Sequence, residues 1–294
     1  MKKKFERFVG VDWSGSKGRC HKGIQVAEFS EADAHPKLIP PREGKHWSRS
    51  GVIGYIKSLS DRPTLVGIDF AFSVPVPFPV STLRDPRELW ALVDKICMAA
   101  VDDDIREYYG GPVWLSDQSP FFPYVRYGQH RGDKFDGKLL RHTDRACRPR
   151  AASIYKLMYS QVGRGSFAGM RVLKSLDEWN GLVVWPFDEI DFNKVVVVEI
   201  YPSAFYAMAD CKRPNPEKQK REEVDIVLDK VLRRFNVTCG YARPLSQDEI
   251  DAYVSAAALA HLSKETSAFA IPEHLRETVA KEGWIFGIPT GGSP

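Results

Sequence analysis

A chain of 294 residues, 43% hydrophobic and 12% aromatic, carries enough apolar material for one large core or two small ones, which excludes a disordered or low-complexity protein. A net charge of +4 is too small to mark a nucleic-acid binder by itself. The five cysteines form no CxxC pair and have no companion histidine at zinc-finger spacing, which argues against a structural zinc and for a reducing compartment. The apolar run after MKKKFERF stops at Asp12, too short for a signal-peptide core, and no later stretch reaches the length of a membrane span. The expectation is therefore a cytoplasmic protein with no membrane partner.

In chain order, Phe8 to Lys17, FVGVDWSGSK, reads as a buried strand that carries Asp12 to its end and breaks into a Gly/Ser turn. Gly23 to Phe29 alternates as a second strand and closes a hairpin, and a short third strand fits near Lys37 to Ile39. Ser50 to Leu59 has helical spacing. Leu65 to Phe70, LVGIDF, then repeats the first device, with a glycine two positions before Asp69.

From Ala71 to about Asn193 the regular alternation stops. SVPVPFPV is too proline-rich for a central strand or helix. Asp85 to Tyr109 reads as helical, as does Ala151 to Gln161, which the glycines of GRGSFAG would end. The stretch between them interleaves Phe121, Phe122, Tyr124, Tyr127 and Phe135 with eight cations, Arg126, Arg131, Lys134, Lys138, Arg141, Arg145, Arg148 and Arg150; from Arg126 to Arg150 these stand against three acids. Aromatics among cations are what a groove needs to stack bases and neutralise phosphates; a solvated surface loop is the plainer alternative. Residues 71–193 thus read as an insertion or lid on a core of 1–70 and 194–290, either separate or within one compact domain.

The core pattern resumes at VVVVEIYPS, a strand ending at Glu199. Glu217 to Phe235 is a charged amphipathic helix. Ser246 and Glu249 form a capping box, with Leu245 and Ile250 placed as a hydrophobic staple, at the head of SQDEIDAYVSAAALAHL. That helix puts Asp248, Asp251, Ala252, Ser255, Ala258 and Leu259 on one stripe whose small residues would lie close to a sheet. A short helix and a final strand, GWIFGI, close the chain.

Four elements therefore end or begin with an acid: Asp12, Asp69, Glu199, and Asp251 with Asp248 one turn earlier. Ligands bind at strand ends of open α/β sheets. Two carboxylates at ~4 Å repel by about 4 kcal/mol at an effective dielectric of ~20, so they need a cation or a shared proton. Each acid also has a structural alternative. Asp12 and Asp69 could cap turns, and Asp248 sits in the first helical turn, where the dipole favours an acid. Asp251 lies beyond that turn against small residues, where an unpaired carboxylate is costly, so function is favoured for it over Asp248.

Taken in order, GVDWSGSK, VGIDFAFSVP, VVEIYPSAF, DEIDAYVSAAALA and EGWIFGI resemble the domain of unknown function family 429, described as predicted nucleases of the ribonuclease H-like fold. The resemblance spans nearly the whole chain, with the middle block the weakest part. It implies an α/β ribonuclease H-like mixed sheet flanked by helices, and catalytic acids at Asp12, Asp69 and Asp251. Glu199 and Asp248 are further metal ligands, and Mg2+ or Mn2+ is the cofactor. The resulting expectation is a nuclease that hydrolyses DNA or RNA by two-metal water attack, with Lys17, Tyr124, Tyr127 and the Arg126–Arg150 cations on the nucleic acid. A homodimer is left open. Two alternatives stand beside it: a sugar-kinase or actin-like ATP enzyme, for which DWSGSK would be the phosphate loop, and a non-catalytic nucleic-acid binder.

Overall fold

A computed structural model of the chain describes residues 4–76, 85–100, 107–115, 119–121, 139–155, 162–241 and 243–289. Among these, a mixed six-stranded sheet runs in the order β3-β2-β1-β4-β6-β5, built from β1 (Arg7–Asp12), β2 (Gln25–Ser30), β3 (Lys37–Leu38), β4 (Thr64–Ile68), β5 (Leu182–Val184) and β6 (Val195–Glu199). The first three strands form an antiparallel meander, and β4, β6 and β5 add in parallel on the other side of β1. Strands β1, β4 and β6 are buried along their whole length, which is why they read as unbroken apolar runs.

Helices cover both faces. One carries α1 (Arg49–Lys57), α2 (Pro86–Met98) and α5 (Val162–Asp177), packed on Val9, Val11, Val66, Ile68, Val195 and Val197. The other carries α6 (Pro202–Met208), α7 (Arg221–Arg234) and α8 (Gln247–Leu262), packed on Phe8, Leu65, Val196 and Val198. Three short α-helices, α3 (Pro112–Leu115), α4 (His142–Ala146) and α9 (Arg276–Glu282), and two 3-10 turns, Thr266–Phe269 and Glu273–Leu275, complete the described set.

The two VG(V/I)D strands are explained by how closely α8 approaches. Gly10 and Gly67 are register partners on β1 and β4. A Cβ on Gly10 would lie 2.3 Å from the Ala252 carbonyl oxygen and 2.7 Å from the Ala256 nitrogen. One on Gly67 would lie 2.6 Å from Ile200 Cγ2 and 3.0 Å from Leu259 Cδ1. Both glycines therefore let the alanine stripe of α8 rest on the sheet backbone. The expected capping box is present: Glu249 N–H donates to Ser246 Oγ at 3.3 Å and Ser246 N–H to Glu249 Oε2 at 2.8 Å.

Two expectations are corrected, while the segment 71–193 builds directly on the sheet: β5 pairs with β6, and α2 and α5 share the hydrophobic cluster of β1 and β4. The described middle of the chain is thus one covering layer plus an edge strand. GWIFGI contributes only a single bridge, Ile285 to Glu199, rather than a strand. The glycines of GRGSFAG lie inside α5 instead of ending a helix; Gly169 is there because a Cβ would strike the Phe70 ring at 2.4 Å. Of the preceding expected helix, residues 151–155 are non-helical and 156–161 lie outside the described residues.

Candidate functional site

Parallel register decides which acids meet. Gly10 pairs with Gly67, so Asp12 and Asp69, each two residues on, arrive side by side on the α8 face, and Asp69 N–H donates to the Val11 carbonyl at 3.0 Å. They line a cleft of about 560 Å3 together with Asp248, Ser14, Tyr201 and Arg213. Asp12 is 6% exposed, and among the described residues neither Asp12 nor Asp69 has an ion pair or a side-chain hydrogen bond.

Burial, then the neighbouring Asp69 and Asp248 carboxylates, push the Asp12 pKa well above the usual range, against a smaller opposing pull from Arg213. Asp69 is raised to about 7, again chiefly by burial, with Arg213 opposing and Glu199 adding. Asp248 is raised as well by burial, with Arg213 and Lys22 opposing. The cleft floor is a cluster of acids without a counter-ion of matching charge, and as such it holds protons or attracts a cation.

The helix supplies the carboxylate on the opposite assignment from that expected. Asp251 is fully buried; its Oδ1 accepts from Tyr206 Oη at 2.8 Å and from Gln247 Nε2 at 3.2 Å, and its Oδ2 is ion-paired with Arg213. It is not open to the cleft, and Asp248, one turn earlier, is. The cost that marked Asp251 as unusual is real, and it is met by these partners rather than by a ligand.

Glu199 lines the same cleft, but its carboxylate is already engaged. The β4–β6 register pairs it with Ile68, one position short of Asp69, so it turns to the α5 face of the sheet. Its Oε1 accepts from Arg141 Nη2 at 2.5 Å, and its Oε2 from Arg141 Nη1 at 2.7 Å and the Phe72 N–H at 2.9 Å. Arg141, 2% exposed, also binds Asp144 at 2.8 Å. Burial opposes its charge, but Asp144 and Glu199 outweigh it and hold its pKa well above normal. Arg141 is thus an internal counter-ion, its guanidinium committed to Asp144 and Glu199.

Of the other expected nucleic-acid residues, Lys17, Arg145, Arg148 and Arg150 are exposed, while Tyr124, Arg126, Tyr127, Arg131, Lys134 and Lys138 lie outside the described residues. Phe122 and Phe135 do too, whereas Phe121 is a core residue against Phe167.

The turn after β1 is held from outside. Arg49, fully buried, donates through Nη2 to the Ser14 and Ser16 carbonyls, both at 2.8 Å, and lies over the Trp13 ring. Gly15 closes on α5, where a Cβ would lie 2.4 Å from the Gly165 nitrogen, and Trp13 Nε1 donates to the Gly165 carbonyl at 3.0 Å. Ser14 Oγ, in the cleft, is 3.0 Å from Ser16 Oγ, which is 2.8 Å from His21 Nδ1. Burial and Arg49 lower the His21 pKa to about 4, so the ring is neutral near pH 7.

Reading the sequence missed Arg213, Ser14 and Tyr206. Arg213 sits in a charged, irregular stretch before α7 where nothing distinguishes it from its neighbours; Ser14 stands in the sequence only within the Gly/Ser turn and the alternative phosphate loop DWSGSK. Among the described residues, no group of three or more His, Cys, Asp or Glu side chains is close enough to hold a metal ion, and no helix is long and apolar enough to cross a membrane. Comparison with family models, with curated proteins and with solved structures returned no match.

Proposed function

We propose that this chain is a nuclease of the ribonuclease H-like fold that hydrolyses phosphodiesters of DNA or RNA with Mg2+ or Mn2+. The observation that carries the reading is the pair Asp12 and Asp69, delivered by matched register to the floor of an open cleft with Asp248 beside them and no fixed counter-charge of their own. The antiparallel meander followed by parallel strands on the far side of β1 supports the fold assignment.

The donor set suits a hard divalent cation. Magnesium keeps several waters and takes one or two carboxylates, so Asp12 and Asp69 suffice, and a third protein ligand is not required. When bound, such an ion would act as a Lewis acid on the phosphate and lower the pKa of a water near it. The chain's own residues do the rest. Asp12 and Asp69 would hold the cation through their carboxylates, Asp248 would add negative charge at the helix side, and Ser14 Oγ presents a hydroxyl whose hydrogen bond to Ser16 is backed by neutral His21. The cleft volume suits a nucleotide-sized ligand.

The test is incubation with end-labelled single- and double-stranded DNA and RNA in Mg2+ or Mn2+. Cleavage by the wild type, abolished in Asp12→Asn and Asp69→Asn variants that remain folded, is the expected result. No cleavage of any substrate, or equal cleavage by the variants, refutes the reading.

A further inference from the structure

Arg213 is a cation that lines the cleft beside the carboxylate cluster, and unlike the buried Arg141 of the same cleft it is half out of its socket. Its side chain is 43% exposed, while its partner Asp251 is fully buried. One guanidinium nitrogen, Nη2, pairs with Asp251, which Tyr206 and Gln247 fix from the other side. Among the described residues the guanidinium makes no other hydrogen bond, so Nε and Nη1 keep their N–H groups for something else. The residue lines the same cleft as Asp12, Asp69 and Asp248.

A guanidinium anchored through one nitrogen and open at the others is suited to grip a phosphate through two parallel N–H groups. A buried carboxylate holding such a group makes its position independent of the ligand. A cleft of acids would repel a polyanion unless a fixed cation stood at its edge, and Arg213 is a fixed cation in that place. We infer that Arg213, anchored by Asp251 and Tyr206, is the phosphate-contacting residue of the cleft and positions an anionic nucleic-acid backbone over Asp12 and Asp69. The inference rests on the nuclease reading and adds the group that recognises substrate rather than the groups that hold the cation.

The experiment is fluorescence anisotropy of a labelled single-stranded DNA of about 20 nucleotides with a chelator present, so that binding is read without turnover, for wild type, Arg213→Ala, Arg213→Gln and Tyr206→Phe across a salt series. Arg213→Gln still donates a hydrogen bond to Asp251, and it keeps the test meaningful where Arg213→Ala fails to fold. The expected result is affinity about tenfold weaker in the Gln variant, with the slope of log affinity on log salt shallower by about 0.7, the share of one phosphate contact. Tyr206→Phe, which loses no charge, keeps the wild-type slope. A folded Arg213→Gln protein that binds as tightly as wild type, with the same slope, overturns the role of Arg213 and leaves the nuclease reading standing. Wild-type protein that binds no oligonucleotide at any salt, either with the chelator or with Ca2+ in its place, overturns both.

Discussion

Replacing Gly10 by alanine tests whether the α8 contact sets the geometry of the cleft. The new methyl would lie 2.3 Å from the Ala252 oxygen and 2.7 Å from the Ala256 nitrogen, both backbone atoms of one helix, so no side chain can rotate out of the way. The helix as a whole must lift by roughly 1 Å to restore ordinary contact, and overpacking of that kind costs about 3 kcal/mol or more. The partner glycine supplies the internal control. At Gly67 the methyl meets Ile200 Cγ2 at 2.6 Å and Leu259 Cδ1 at 3.0 Å, side-chain rather than backbone atoms, so Gly67→Ala is expected to cost less, about 2 kcal/mol. Urea unfolding of both variants, with midpoints compared at unchanged slope, measures the difference. Equal losses, or a Gly10→Ala protein as stable as wild type, would refute the idea that backbone contact at Gly10 seats α8. Because α8 carries Asp248 and Asp251, the same variant is expected to lose activity beyond its loss of stability.

Arg141→Met leaves Glu199 and Asp144 buried without their cation and lowers unfolding free energy by about 3–5 kcal/mol in urea, while a surface nucleic-acid contact would cost stability little. The raised pKa of Asp69, about 7 when folded against 3.8 ordinarily, means the folded state binds the extra proton between those values. Its contribution to stability is therefore fully present below about pH 4 and is lost as pH rises towards 7. Thermal melts across that window are expected to show the wild type losing stability with rising pH more steeply than Asp69→Asn, and a wild type whose pH dependence matches the variant would contradict the burial argument. Ser246→Ala removes the cap of α8 and is expected to cost about 1 kcal/mol by urea unfolding.

The parts of this molecule that were legible in its sequence are those set by local pattern. β1, β4 and β6 are apolar on both faces and announce themselves, and the capping box of α8 is written in Ser246 and Glu249. Asp12 and Asp69 share a context because their glycines share a helix. What was not legible depends on register and on distant partners. Glu199 ends its strand as Asp69 follows its own, and only the Ile68 pairing, one residue off, turns it to the other face. Asp248 and Asp251 lie on one helical stripe, and only their surroundings separate them: Asp248 lines the cleft, while Asp251 is taken by Tyr206, Gln247 and Arg213. Arg141 looks like every other cation in its stretch until Glu199, 58 residues away, closes on it. Three residues of β5 are too few to signal a strand, and the glycines of α5 serve contacts with Gly15 and Phe70 that local pattern does not reveal.

The central claim is that Asp12 and Asp69 form a divalent-cation site at the floor of the cleft. A crystal soaked in Mn2+, with the ion located by its anomalous scattering, addresses it directly. The account predicts Mn2+ bound by carboxylate oxygens of both residues, and lost from an Asp69→Asn crystal. Mn2+ found only elsewhere on the protein, or Asp12 and Asp69 seen gripping Arg213 in its place, would contradict it.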